Sequence, residues 1–90
     1  MVYKTGKGGE RLVNLPERVN KTMDAMVQQL AQRRRAAGLS QLKLSELTGV
    51  KQGTISQIER RCHDPYLHTY LTLLLAVKAA EEAPEKLFNP

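Results

Sequence analysis

The chain has 90 residues, a formal net charge of +5, 41% hydrophobic and only 4% aromatic side chains. That length allows one domain with a small core, and no apolar run approaches the roughly 18 residues a membrane span needs. A lone cysteine, Cys62, excludes an internal disulfide framework; with no apolar signal-peptide core at the N-terminus, a cytoplasmic location is expected.

The charge is unevenly spread. Residues 1–61 carry twelve Lys/Arg against five Asp/Glu, and residues 62–90 carry two against four. On composition alone the basic part is as readily a solvated surface as a polyanion-binding one.

Residues 1–13 hold two β-prone pieces, 2–5 and 10–13, around the GKGG sequence. They could pair as a hairpin or form a basic arm carrying Lys4, Lys7 and Arg11. A two-stranded hairpin alone is marginal in water, so a flexible or strand-like arm is expected. Asn14 then reads as a helix cap, with Pro16 tolerated in the first turn and Glu17 completing a capping box. The helix is expected to reach Ala37, with Val19, Met23, Met26, Val27, Leu30, Ala31 and Ala37 on its apolar side. Gly38 ends it, and Arg33, Arg34 and Arg35 suit the negative end of the helix dipole.

Residues 40–60, SQLKLSELTGVKQGTISQIER, read as two short helices joined by a tight turn. Ser40 caps the first, preceded by Leu39 as a core staple. Leu42, Leu44, Leu47 and Val50 are expected to bury one face of that helix and its turn, and Gly49 reverses the chain. The second helix starts at Gln52. It buries Ile55 and Ile58 and leaves Gln52, Gly53, Thr54, Ser56 and Gln57 facing outward. Two such helices form a helix-turn-helix, whose second helix enters a DNA major groove.

Residues 60–65 form a linker, and Pro65 introduces a helix that is apolar almost all round, through Leu67, Tyr70, Leu71, Leu73, Leu74, Leu75, Ala76 and Val77. Such a helix is buried on more than one side, which marks Leu75 and its neighbours for a subunit interface. Pro84 breaks the following alanine-rich stretch, and residues 85–88 allow one further turn anchored by Leu87 and Phe88.

The stretch GLSQLKLSELTGV, followed by the polar helix with Ile55, Ile58 and Glu59, resembles the helix-turn-helix of the phage-repressor-like (XRE, or Cro/repressor) family. The likeness extends, less sharply, over residues 23–80. It implies an all-α, compact four- to five-helix DNA-binding domain over residues 14–90, preceded by the arm of residues 1–13. It also implies an ion pair between Arg34 and Glu59 that orients the recognition helix. By position in the family, Gln41 and Gln52 begin the two helices of the motif. Gln52, Gly53, Thr54 and Gln57 are then the expected base-reading positions, and Gln41, Lys43, Lys51, Ser56, Arg60 and Arg61 the expected backbone contacts. Three departures stand out. The first helix begins near Asp24 in the family, so residues 16–23 either extend it or form a separate short helix. Gly53 removes a side chain from a position that often touches a base, and Arg60–Arg61 replaces the usual Asn-Gly.

Cys62, His63, Asp64 and His68 are metal ligands by type, but they crowd one linker with no second cluster, and no metal or other cofactor is expected. There is no Gly-rich phosphate loop, nucleophile elbow or spaced carboxylate pair, which argues against an enzyme. The expected function is a sequence-specific transcriptional regulator, a repressor that binds a palindromic operator in double-stranded DNA as a homodimer. The alternative is an antitoxin that binds a toxin protein and represses its own operon. A DNA-independent adaptor built on the same scaffold is a third reading.

Overall fold

The structure is a computed structural model that describes residues 14–88 of the chain. The arm or hairpin expected over residues 1–13 lies outside the described residues. Within them the chain is all-helical: α1 (Leu15–Ala36), α2 (Gln41–Thr48), α3 (Gln52–Glu59), α4 (Leu67–Glu82) and α5 (Pro84–Phe88).

α1 is a single continuous helix of 22 residues, so residues 16–23 extend it rather than forming a separate element. Its start differs from the expected capping box. Asn14 makes no side-chain cap hydrogen bond, and Glu17 instead faces Lys21 one turn on, 3.3 Å away. The opposite end follows its sequence signal closely. Gly38 sits at φ +75°, with its N–H donating to the Arg35 carbonyl (3.0 Å) and that of Leu39 to the Arg34 carbonyl (3.0 Å). This is a Schellman closure, and it drops Leu39 directly into the core.

α2 begins at Ser40, whose hydroxyl accepts the Lys43 N–H at 2.9 Å. It ends at Gly49 (φ +78°), whose N–H returns to the Ser45 carbonyl. Thr48 firms the turn, donating to the Leu44 carbonyl at 2.7 Å and accepting the Val50 N–H at 3.2 Å. The expected four-residue apolar face does not form. Leu44 is buried and Val50 half-buried, while Leu42 and Leu47 are exposed. Residues two apart on a helix differ by about 200° around its axis, so Leu42 and Leu44 cannot share a face.

One core joins α1 to α4. Val27 and Leu30 of α1, Leu39, Leu44, Ile55 and Ile58 of the motif, and Leu73, Val77 and Ala80 of α4 close it. Burying each larger aliphatic side chain contributes roughly 1.5–3 kcal/mol. On α1 the expected apolar side is buried only at its C-terminal half: Val27, Leu30 and Ala31 are buried, whereas Val19 and Met26 are exposed. α4 turns Leu73, Val77 and Ala80 inward and leaves Leu67, Leu71 and Leu75 exposed. A bidentate pair, Arg33 to Glu81 at 2.9 and 2.7 Å, ties the end of α1 to the end of α4. The side chains of Leu87 and Phe88 lie outside the described residues. Among the described residues no helix is long and apolar enough to cross a membrane.

Candidate nucleic-acid interface

The inner side of α3 is fixed by two isoleucines, Ile55 and Ile58, both buried. Measured around the axis from them, Gly53 and Arg60 point directly away, Gln57 and Ser56 lie about 50° to either side of that line, and Thr54 sits nearer the core. Gly53, Gln57 and Arg60 are exposed, and Thr54 and Ser56 half-exposed. Gln52 and Lys51 sit exposed at the N-terminal end. That end has no side-chain cap, so its first-turn N–H groups and the positive end of the helix dipole remain open to an anion such as phosphate.

Gly53 has no structural duty. A Cβ at this position would meet nothing within 4 Å, and its φ is not in the left-handed region. It lies one turn before Gln57 on the same outward side. Helical side chains lean toward the N-terminus, so Gly53 leaves free the surface over which the Gln57 amide can extend.

A clamp holds α3 in place. Arg34, nearly fully buried, donates through Nε and Nη2 to the two carboxylate oxygens of Glu59 at 2.7 and 2.9 Å. Its Nη1 donates to the Leu39 carbonyl at 2.8 Å. The guanidinium thus joins α1, the α1–α2 turn and the end of α3, with the fork geometry that makes arginine suited to the role. Gln41 joins the clamp, its amide nitrogen donating to Glu59 at 2.9 Å. Burial pushes the Glu59 carboxyl up, but hydrogen bonds from Arg34 and Gln41, with the charges of Arg34 and Arg35, outweigh it and hold the group below the ordinary carboxylate value.

The carboxyl end of α3 explains the Arg60–Arg61 departure. Arg61 takes the left-handed position at φ +60°. Its N–H donates to the Ile58 carbonyl and that of Cys62 to the Gln57 carbonyl, a Schellman closure made without glycine. A non-glycine residue here costs about 1–2 kcal/mol of backbone strain. Arg61 offsets this by pairing with Asp24 at 2.7 Å and Asp64 at 2.9 Å. The hydrogen bond that Arg61 donates to Asp24, helped by the one it donates to Asp64, outweighs the effect of burial and raises its pKa. Arg61 is therefore engaged within the fold, whereas Arg60 is exposed. Of the linker cluster, Asp64 serves this ion pair and the exposed Cys62 thiol donates weakly to the Arg60 carbonyl at 3.8 Å. The structure thus brings Gln52, Gly53, Thr54, Ser56, Gln57, Lys51 and Arg60 to one side of α3. It puts Gln41 beside Glu59, and Lys43 stands half-buried on α2.

Comparison with known proteins agrees with this geometry. The family model for the helix-turn-helix matches residues 30–64. That stretch is a helix-turn-helix of the phage-repressor-like (XRE) family. Over 50 residues the chain is 42% identical to an uncharacterized HTH-type transcriptional regulator of Haemophilus influenzae, covering 56% of this chain and 51% of the relative. The chain spans about half the length of that curated relative. No solved structure gives a match.

Proposed function

We propose that the protein is a sequence-specific DNA-binding transcriptional regulator that acts as a repressor. The observation that carries this reading is the outward side of α3: an unobstructed polar ridge of Gly53, Gln57 and Arg60, beside Gln52 and Thr54, on a helix locked by Arg34 and Glu59. Glutamine amides can bond an adenine edge bidentately, and the threonine methyl can meet a thymine methyl. Lys51, Arg60 and the open first-turn amides neutralise phosphates and position the helix. Two copies related by a two-fold axis would set their α3 helices in successive major grooves, about 34 Å apart on a palindromic operator. Repression follows from occlusion of a promoter.

Selection of bound sequences from random duplex DNA tests the proposal. An enriched palindrome with half-sites one helical turn apart is the expected result. Recovery of unenriched DNA at moderate salt would remove sequence-specific recognition.

A further inference from the structure

The two adjacent arginines that close α3 take opposite courses. Arg60 is exposed beside the outward ridge of Gly53 and Gln57. At Arg61 the backbone turns to φ +60°, and its side chain, only 20% exposed, folds back to α1. There its Nε donates to Asp24 Oδ1 at 2.7 Å, and its Nη2 pairs with Asp64 Oδ1 at 2.9 Å. Stability alone does not account for an arginine here. The family resemblance leads to a glycine at this turn, and a glycine closes a helix without strain. The inward seat is also incomplete: Nη1 is shut off from solvent with no hydrogen-bond partner among the described residues, which carries a cost of its own. Two carboxylates share one guanidinium, so the cluster keeps a net charge of −1.

We propose that Asp24 and Asp64 withhold Arg61 from the DNA backbone, so that of the two arginines at the end of α3 only Arg60 meets a phosphate. The proposal rests on the DNA-binding reading above and gives the two carboxylates a part in setting its strength. Reach is not what keeps Arg61 away. Its Cα lies about 3.8 Å from that of Arg60, less than the length of an arginine side chain, so a released guanidinium sweeps the same space. Charge holds it in place. Drawing Arg61 onto a phosphate strips both carboxylates of their counterion and leaves like charges together beside a polyanion. Neutral asparagines at 24 and 64 reverse the balance. An amide oxygen still accepts a hydrogen bond, but a charge-assisted bond is roughly twice as strong as a neutral one. The seat then keeps its orphaned Nη1 and loses the charge that offset it, and Arg61 moves out to solvent or phosphate. Asp24 and Asp64 are thus positioning residues that act through Arg61 and hold the affinity for DNA down.

The salt dependence of binding to a short duplex of arbitrary sequence tests this, because it counts phosphate contacts. Four forms of the full chain are compared: wild type, Arg61→Gln, the double variant Asp24→Asn, Asp64→Asn, and the triple variant with all three changes. The expected result is a gain of function. The double variant should steepen the slope of log K against log salt by about 0.9 per bound copy, and tighten binding about eightfold near 0.1 M salt. Arg61→Gln should leave the slope unchanged in the wild-type background and lower it by about 0.9 in the asparagine background. A purely structural role for the three residues moves helicity and melting temperature but not this slope. Glu82→Gln with Glu85→Gln changes the net charge equally at exposed positions near the end of the chain and should give no such step. If the double variant does not fold, Asp64→Asn alone should give a smaller gain of the same sign. An unchanged slope in the asparagine variants, an equal step in the charge control, or the same loss from Arg61→Gln in both backgrounds overturns the proposal, while wild-type binding keeps the DNA reading. A wild type that binds no duplex at any salt removes that reading and the proposal with it.

Discussion

Replacing Arg34 by methionine probes the clamp that orients α3. The substitution keeps an apolar stem but deletes two charge-assisted hydrogen bonds to Glu59 and one to the Leu39 carbonyl. Glu59, its side chain only 13% exposed, is left with Gln41 as its hydrogen-bond donor among the described side chains. Removing one partner of a buried pair costs about 3–5 kcal/mol. Because Glu59 retains Gln41 and some solvent, the lower end, about 3 kcal/mol, is expected. A domain of this size has a total stability of about 4–11 kcal/mol, so the midpoint should fall by roughly 12–25 °C. The sign of the pH dependence follows from Glu59. Its folded-state value is lowered, so the stabilisation is complete above the ordinary carboxylate value and is lost as pH falls through the folded one. Without Arg34 most of that lowering disappears while the upward push of burial remains. The gap between wild type and Arg34→Met should therefore be widest near neutral pH and shrink in acid. Urea unfolding followed by circular dichroism at neutral and acidic pH measures both. A loss under about 1 kcal/mol at neutral pH, on the scale of an exposed pair, would refute the clamp as described, as would a gap that does not change with pH. The double change Arg34→Met with Glu59→Leu should recover most of the loss, since removing both charges leaves nothing buried and unpaired.

Gly53→Ala should stabilise the fold by about 0.5–1 kcal/mol, because a Cβ there meets nothing within 4 Å; thermal unfolding checks this, and no gain would mean the glycine has a structural duty after all. If Gln57 extends over Gly53, the same variant should bind its operator more weakly although it is more stable. At the end of α3, Arg61→Gly removes both the left-handed strain and the ion pairs to Asp24 and Asp64, so its stability should stay near wild type. Arg61→Ala keeps the strain and loses the pairs, and should be less stable than Arg61→Gly by about 1 kcal/mol. Equal stabilities for the two would show that the positive φ of Arg61 carries no strain.

The sequence announced the elements that depend on neighbours along the chain. Ser40 three residues before Lys43, Gly38 past the arginine run and Gly49 in the turn are local signals, and the structure uses each as a cap or closure. Family resemblance supplied Arg34–Glu59, 25 residues apart. Readings based on counting apolar residues fared worse. Leu42 and Leu44 read as one apolar face although a helix turns them to opposite sides, and the apolar side of α1 runs from Val19 to Ala37 in the sequence although only Val27, Leu30 and Ala31 of it are buried. Asn14 and Glu17 match a capping box in type and spacing, but Lys21 offers Glu17 a partner one turn on. The pairs Arg33–Glu81 and Arg61–Asp24 join residues 48 and 37 apart, and no local pattern encodes them. Arg61 at positive φ is legible only in retrospect, from the two carboxylates that the fold brings to it.

The most direct measurement of DNA reading by α3 is a fluorescence anisotropy titration of the selected duplex and a scrambled duplex, with wild type and the double variant Gln52→Ala, Gln57→Ala. Both positions are exposed, so the fold should be unaffected. Wild type should prefer the selected duplex by about 1,000-fold or more, and the double variant should bind both duplexes with the weak, salt-dependent affinity of nonspecific contact. A double variant that keeps the full preference would contradict recognition through the outward face of α3.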